Sequence, residues 1–209
     1  MENEKKAGSL IVFEGIDGSG KSTQVQLLSK KLREQQVPFY ATMEPTNSPV
    51  GSLIRQLLTG RMHADPKVIA ALFTADRLDH LLNDVDGIVQ MIEKGKTVIM
   101  DRYYFSSYAY QSVDVPMDWV IQANAISSGI LRPKVNIFLD VNVDDALERI
   151  TNNRHQTELF EEKTRLIQVR ERYMEAFERL QDTENVVIVD GGQPPEDVAE
   201  KVWEIVREV

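Results

Sequence analysis

The 209-residue chain carries 24 Lys and Arg against 33 Asp and Glu, a formal net charge of -9, and contains no cysteine. That balance argues against a broad basic surface for nucleic acid polymer, and the missing cysteines exclude disulfides, thiolate zinc sites and a cysteine nucleophile. No stretch approaches the roughly 20 apolar residues of a membrane span and residues 1–8 hold no apolar leader core, so one cytoplasmic domain over 1–209 with no membrane partner is expected.

In chain order, a predicted strand over 9–14 runs into Gly15-Ile16-Asp17-Gly18-Ser19-Gly20-Lys21-Ser22 and then a predicted helix over 21–35 with apolar Val25, Leu27, Leu28 and Leu32. GxxxxGK[ST] between a strand and a helix is a phosphate-binding loop. Its glycines allow positive φ and close backbone approach, so successive N–H groups can curl around phosphate oxygens at a helix N-terminus. Lys21 supplies a mobile charge to the β and γ phosphates, and the Ser22 hydroxyl can ligate Mg²⁺. The loop implies ATP or GTP and leaves the reaction open.

Further strands are predicted at 39–43, 97–100, 135–139 and 186–189, with helices at 50–58, 66–93, 117–127, 143–152, 160–180 and 195–208. This alternation predicts an α/β fold: a five-stranded parallel sheet with helices on both faces, in three layers. Residues 152–158, polar and without an apolar anchor, read as an exposed mobile loop. The strand over 97–100 ends in Asp101-Arg102, beyond the carboxyl ends of the strands, where ligands of open α/β proteins sit. The acid can join a metal shell and the guanidinium can clamp a phosphate, or the two can form a surface salt bridge; the pair alone does not choose.

The segment Asp101-Arg102-Tyr103-Tyr104-Phe105-Ser106-Ser107-Tyr108-Ala109-Tyr110-Gln111 closely resembles the signature of the thymidylate kinase family, and Phe13 to Thr23 is similar to that family's phosphate loop. Leu72-Phe73-Thr74-Ala75-Asp76-Arg77 and Glu44-Pro45 fall at the family's other motifs, and the resemblance runs from Leu10 to about Val206. It implies a P-loop NTPase fold, Mg²⁺ with ATP, and transfer of the γ-phosphoryl group to dTMP in dTTP synthesis. It further implies an ATP site of Gly15 to Thr23 with Arg149, and a homodimer joined through helices of the 66–93 kind.

For the acceptor the resemblance implies Phe73 stacked on thymine, Arg77 on the base edge, and Gln111 pairing with N3, with Ser107 in the same pocket. Arg102 would hold the monophosphate with help from Arg55. Asp17 would lie near the 3′-hydroxyl, Tyr103 against the sugar, and Glu44 and Asp101 on the metal or hydroxyl side. Gly18 occupies a position where some relatives carry a positively charged catalytic residue, so the catalytic charge is expected from a lid at about 152–160, on Arg154, with Arg149 under the adenine and phosphates. Two departures stand out: Met43 precedes Glu44 where many relatives have Arg, and Leu159 precedes Phe160-Glu161. Adenine recognition is expected from Arg149 and the 190–194 loop. His63, His80 and His155 show no metal-ligand spacing and read as surface or packing residues.

Overall fold

In the computed structural model, which describes residues 8–153 and 163–209, the first strand, β1 (Leu10–Glu14), is buried along its whole length because it lies at the centre of the sheet. Leu10 and Val12 face one hydrophobic core, Ile11 and Phe13 the other. On either side lie β3 (Thr97–Asp101) and β4 (Val135–Asp140), and β2 (Phe39–Met43) and β5 (Val186–Asp190) form the edges, in the order β2-β3-β1-β4-β5 with every pairing parallel. A parallel sheet buried on both faces explains why these strands read as continuous apolar runs.

One face is covered by α1 (Lys21–Glu34) and α10 (Pro195–Glu208), which contribute Leu28, Leu32, Val198 and Val202. On the other face pack α2 (Pro49–Leu58), α3 (Pro66–Leu82) and α4 (Ile88–Glu93). The same side carries α5 (Tyr104–Tyr110), α6 (Met117–Ala123), α7 (Ala125–Ile130) and α9 (Lys163–Leu180), while α8 (Val143–Asn153) follows β4. No helix among the described residues is long and apolar enough to cross a membrane.

Three elements differ from the sequence expectation. The helix expected over 66–93 is two helices, because Asn83 leaves helical geometry with ψ 132° and its side chain accepts from Val85 N at 2.9 Å. The helix expected over 117–127 breaks at Asn124, whose Nδ2 turns back to donate to Val120 O at 2.8 Å. Helix α5 is not among the expected elements: its seven residues are all buried, so it has no solvent-facing side to give an amphipathic period. The expected lid ends α8 at Asn152 and Asn153; the rest of it, with Arg154, His155, Leu159 and the start of the helix expected over 160–180, lies outside the described residues.

Register decides where the site lies. Phe13 and Met43 both pair with Asp101, so β1, β2 and β3 finish level. Arg102 N donates to Phe13 O at 2.9 Å and Glu44 N to Asp101 O at 3.0 Å, which sets Glu14, Glu44 and Arg102 along one carboxyl edge.

Candidate active site

The chain leaves β1 through Gly15 and enters α1 at Lys21, with Gly18 and Gly20 at φ 79° and 95°. Gly20 stands at the helix start without a capping side chain, so the first-turn N–H groups are left to face a ligand. At Gly18 a Cβ would meet the Ala146 carbonyl oxygen at 2.3 Å, so the backbone of α8 closes over this position and admits no side chain. Lys21 folds across the loop, its Nζ donating to Ile16 O at 2.8 Å and reaching Ser19 Oγ at 3.4 Å. Burial, reinforced by the charge of Arg102, pushes the Lys21 ammonium down to a pKa of about 8.

A cavity of about 490 Å³ opens over this loop. Besides Asp17, Gly18, Lys21, Ser22 and Thr23, it is lined by Asp101, Arg102, Arg149, Glu44 and Arg55. Ser22 Oγ donates to Asp101 Oδ2 at 2.7 Å. These two oxygens beside the phosphate loop suit Mg²⁺, which takes few protein oxygens and completes its shell with phosphates and water. Among the described residues no group of three or more His, Cys, Asp and Glu could hold a metal by itself.

A second, smaller cavity of about 60 Å³ shares Asp17, Glu44, Arg102, Pro45 and Leu58 with the first. Its own walls are Phe73, Arg77, Ser106, Ser107, Tyr110 and Gln111. Gln111 is buried and its Oε1 finds no hydrogen-bond partner among the described residues, an orphan that normally implies a ligand or water. A third cavity of about 230 Å³ lies on the other side of the loop, between Thr23, Gln24, Arg149, Gly191 and Gln193. Arg149 donates to Gly191 O at 3.2 Å, and Asp190 holds Gly192 N and Gln193 Nε2 at 2.9 and 2.7 Å.

Arg102 joins the first two cavities. Its Nη2 contacts Asp17 Oδ1 at 2.6 Å and the Tyr110 hydroxyl at 3.0 Å. Tyr110 in turn donates to Asp17 Oδ2 at 3.0 Å. Burial alone would raise the Asp17 carboxyl, but the charges of Arg102 and Lys21 outweigh it and hold it below its ordinary range. Arg55 donates to Pro45 O at 3.1 Å and Thr46 O at 2.5 Å, which fixes the turn carrying Met43 to Asn47.

Two acceptor-side residues sit differently from expectation. The Arg77 guanidinium is spent within the protein: Nε donates to Glu44 Oε2 at 2.9 Å, Nη1 to Ser107 Oγ and Asn124 Oδ1, and Nη2 to Tyr103 O at 3.1 Å while ion-paired with Glu44 at 2.7 Å. It lines the cavity as a buried strut. Tyr103 is fully buried behind the wall, its hydroxyl 3.2 Å from Leu131 O, and the ring that does reach the cavity beside Asp17 is Tyr110. His80 is a packing residue, bonded to Thr42 Oγ1 at 2.7 Å and Glu44 Oε1 at 3.2 Å.

Sequence reading gave no role to Ser106 and Tyr110, although they lie one helical turn apart as Ser107 and Gln111 do, a spacing that would have placed all four on the cavity side had α5 been foreseen. Glu14 and Tyr173, which pack beneath Arg102, left no local signal because 159 residues separate them. Burial pushes the Glu14 carboxyl above its ordinary range, against the pull of Ser106, Arg102 and Tyr103.

The family model described as thymidylate kinase matches residues 13–202. The chain is 38% identical over 181 residues to the probable thymidylate kinase of Methanocaldococcus jannaschii, covering 86% of this chain and 85% of that protein. It is 36% identical over 205 residues to the thymidylate kinase of Symbiobacterium thermophilum, covering 95% and 92%. With the thymidylate kinase of Leptospira borgpetersenii it shares 34% identity over 195 residues, covering 93% and 91%.

Proposed function

The chain belongs to the thymidylate kinase family, kinases that phosphorylate dTMP on the way to dTTP, and from the geometry of its pockets we propose which residues hold each nucleotide. The observation that carries the assignment is the position of Arg102, at the junction of the cavity over the phosphate loop and the smaller cavity ending at Gln111. A cation there can face an acceptor phosphate while the base enters the smaller cavity.

ATP lies along the loop from Gly15 to Thr23, its adenine in the third cavity between Arg149 and Gly191, its γ-phosphate near Lys21. Ser22 and Asp101 would hold Mg²⁺, which when bound neutralises charge between the phosphates. In the acceptor site Phe73 offers its ring to the base, and Gln111 Oε1 accepts from N3–H of an imide such as thymine. Arg77 and Glu44 hold the wall, Ser107 and Tyr110 complete it, and Asp17 faces the 3′-hydroxyl. Arg102 holds the monophosphate; Arg55, anchored on the Pro45 turn, adds charge on the side where Met43 brings none.

No general base is needed, because the acceptor is already an anionic phosphate. Its oxygen forms the new bond to the γ-phosphorus as the bond to the β-bridging oxygen breaks, and that electron pair leaves on ADP. Lys21, the loop N–H groups and Arg102 counter the gathered negative charge and align the two phosphates. Arg154 supplies the further positive charge, because Gly18 has no room to carry one.

The enzyme works in the cytoplasm on small nucleotides, with no nucleic acid polymer as partner, in keeping with its acidic balance. It forms a homodimer through α3 and α7, which touch and expose Val68, Leu82 and Ile126.

The test is coupled ADP release with ATP and Mg²⁺ across dTMP, dUMP, dGMP, AMP and CMP, on the parent and on Arg102→Ala. Release that requires dTMP and collapses in the variant supports the acceptor site. Equal release without any monophosphate overturns it.

A further inference from the structure

Glu14 lies behind the pocket wall, fully buried, yet much of what holds Arg102 ends on its carboxyl. Arg102 sits at φ 71°, in the left-handed region. An L-residue is strained there and persists only where neighbours fix it from both sides. On the amino side Arg102 N donates to Phe13 O at 2.9 Å; on the carboxyl side Tyr103 N donates to Glu14 Oε1 at 2.9 Å. Both anchors are the last residues of β1. Ser106 N also reaches Glu14 Oε1, at 3.3 Å, so the carboxyl holds the turn that follows Arg102 as well.

The side chain is governed from the same point. Arg102 Nη1 donates to Ser106 Oγ at 3.0 Å and lies 3.5 Å from the Tyr173 hydroxyl. Both hydroxyls reach Glu14 Oε2, at 2.6 and 2.9 Å, and lie 2.8 Å from each other. A hydroxyl whose hydrogen is committed to a carboxylate turns lone pairs elsewhere, and here they face the guanidinium.

We infer that Glu14 is a positioning residue for the acceptor-phosphate clamp: its carboxylate fixes the strained turn at Arg102 and turns the Ser106 and Tyr173 hydroxyls into acceptors for the guanidinium. Affinity for the monophosphate is thereby set from beneath the pocket. The inference rests on the reading of Arg102 as that clamp. Glu14→Gln keeps the shape but puts an amide donor where two hydroxyls donate, so those hydroxyls must turn.

The experiment is steady-state kinetics with dTMP and ATP varied separately, on the parent, Glu14→Gln, Arg102→Ala and the double variant. Glu14→Gln is expected to raise KM for dTMP about tenfold, the worth of one charge-assisted hydrogen bond, with KM for ATP within about twofold. In the Arg102→Ala background the same change is expected to add nothing. An unchanged KM for dTMP, an equal rise in both KM values, or an undiminished effect without Arg102 would each overturn the inference. Failure of Arg102→Ala to raise KM for dTMP would instead remove the clamp reading itself. Should Glu14→Gln not fold, Tyr173→Phe removes one oriented hydroxyl and is expected to raise KM for dTMP alone by about threefold, and no rise counts against the inference.

Discussion

Asp17 and Arg102 are ion-paired at 2.6 Å, with the Tyr110 hydroxyl bonded to both. The phosphate loop and the end of β3 are thus tied by charge at the point where the two cavities meet. On the proposed acceptor site, a monophosphate drawing on the Arg102 guanidinium would loosen that pair and leave the Asp17 carboxylate to a hydroxyl donor. The parent should therefore prefer dTMP to its 3′-deoxy analogue by about tenfold in kcat/KM, and Asp17→Ala should treat the two alike. Retained preference in the variant would assign the 3′-hydroxyl to another residue.

The base contact proposed for Gln111 bears on base choice. With its buried Oε1 lacking a protein partner, Gln111→Leu should raise KM for dTMP roughly tenfold, since the base then keeps an unpaired N3–H. Discrimination against dCMP, whose N3 accepts, should shrink in the same variant. Parallel kinetics on the two monophosphates check this, and unaltered discrimination would place base readout elsewhere.

At Gly18 both conformation and space forbid a side chain, with φ 79° and the Ala146 oxygen 2.3 Å from a would-be Cβ. Gly18→Ala should push the phosphate loop away from α8 and lower kcat/KM for ATP by about a hundredfold, the usual consequence of a displacement near 1 Å in a site of this kind. A variant with parental kinetics would mean that α8 yields freely.

Lys21 gives a pH signature. Its folded pKa of about 8 lies below the 10.5 of an ordinary lysine, so between those values the unfolded chain holds the proton more tightly. Its contribution to stability therefore rises as pH increases through that window and is at its least favourable below pH 8. Lys21→Met, which carries no buried charge, should gain in melting temperature relative to the parent near pH 7, and the gain should shrink toward pH 10.5. Thermal unfolding at several pH values checks the trend, and a difference that does not vary with pH would refute it. In the same range KM for ATP in the parent should climb above pH 8, as the ammonium facing the phosphates is lost.

The sequence by itself determined the sheet and the phosphate loop. Short continuous apolar runs mark buried parallel strands, and the spacing of Gly15, Gly20, Lys21 and Ser22 encodes a nest for phosphate, because both are properties of neighbouring residues. Only the tertiary structure decided which side chains reach the substrate cavities. Arg77 became a buried strut since Glu44, Ser107 and Asn124, from three separate segments, converge on it. Tyr110 rather than Tyr103 faces Asp17 because α5, buried all round, turns one helical side to the cavity and the other to the core. Glu14 lies under Arg102 through the register of β1 with β3, a pairing between strands some 90 residues apart that no local pattern records.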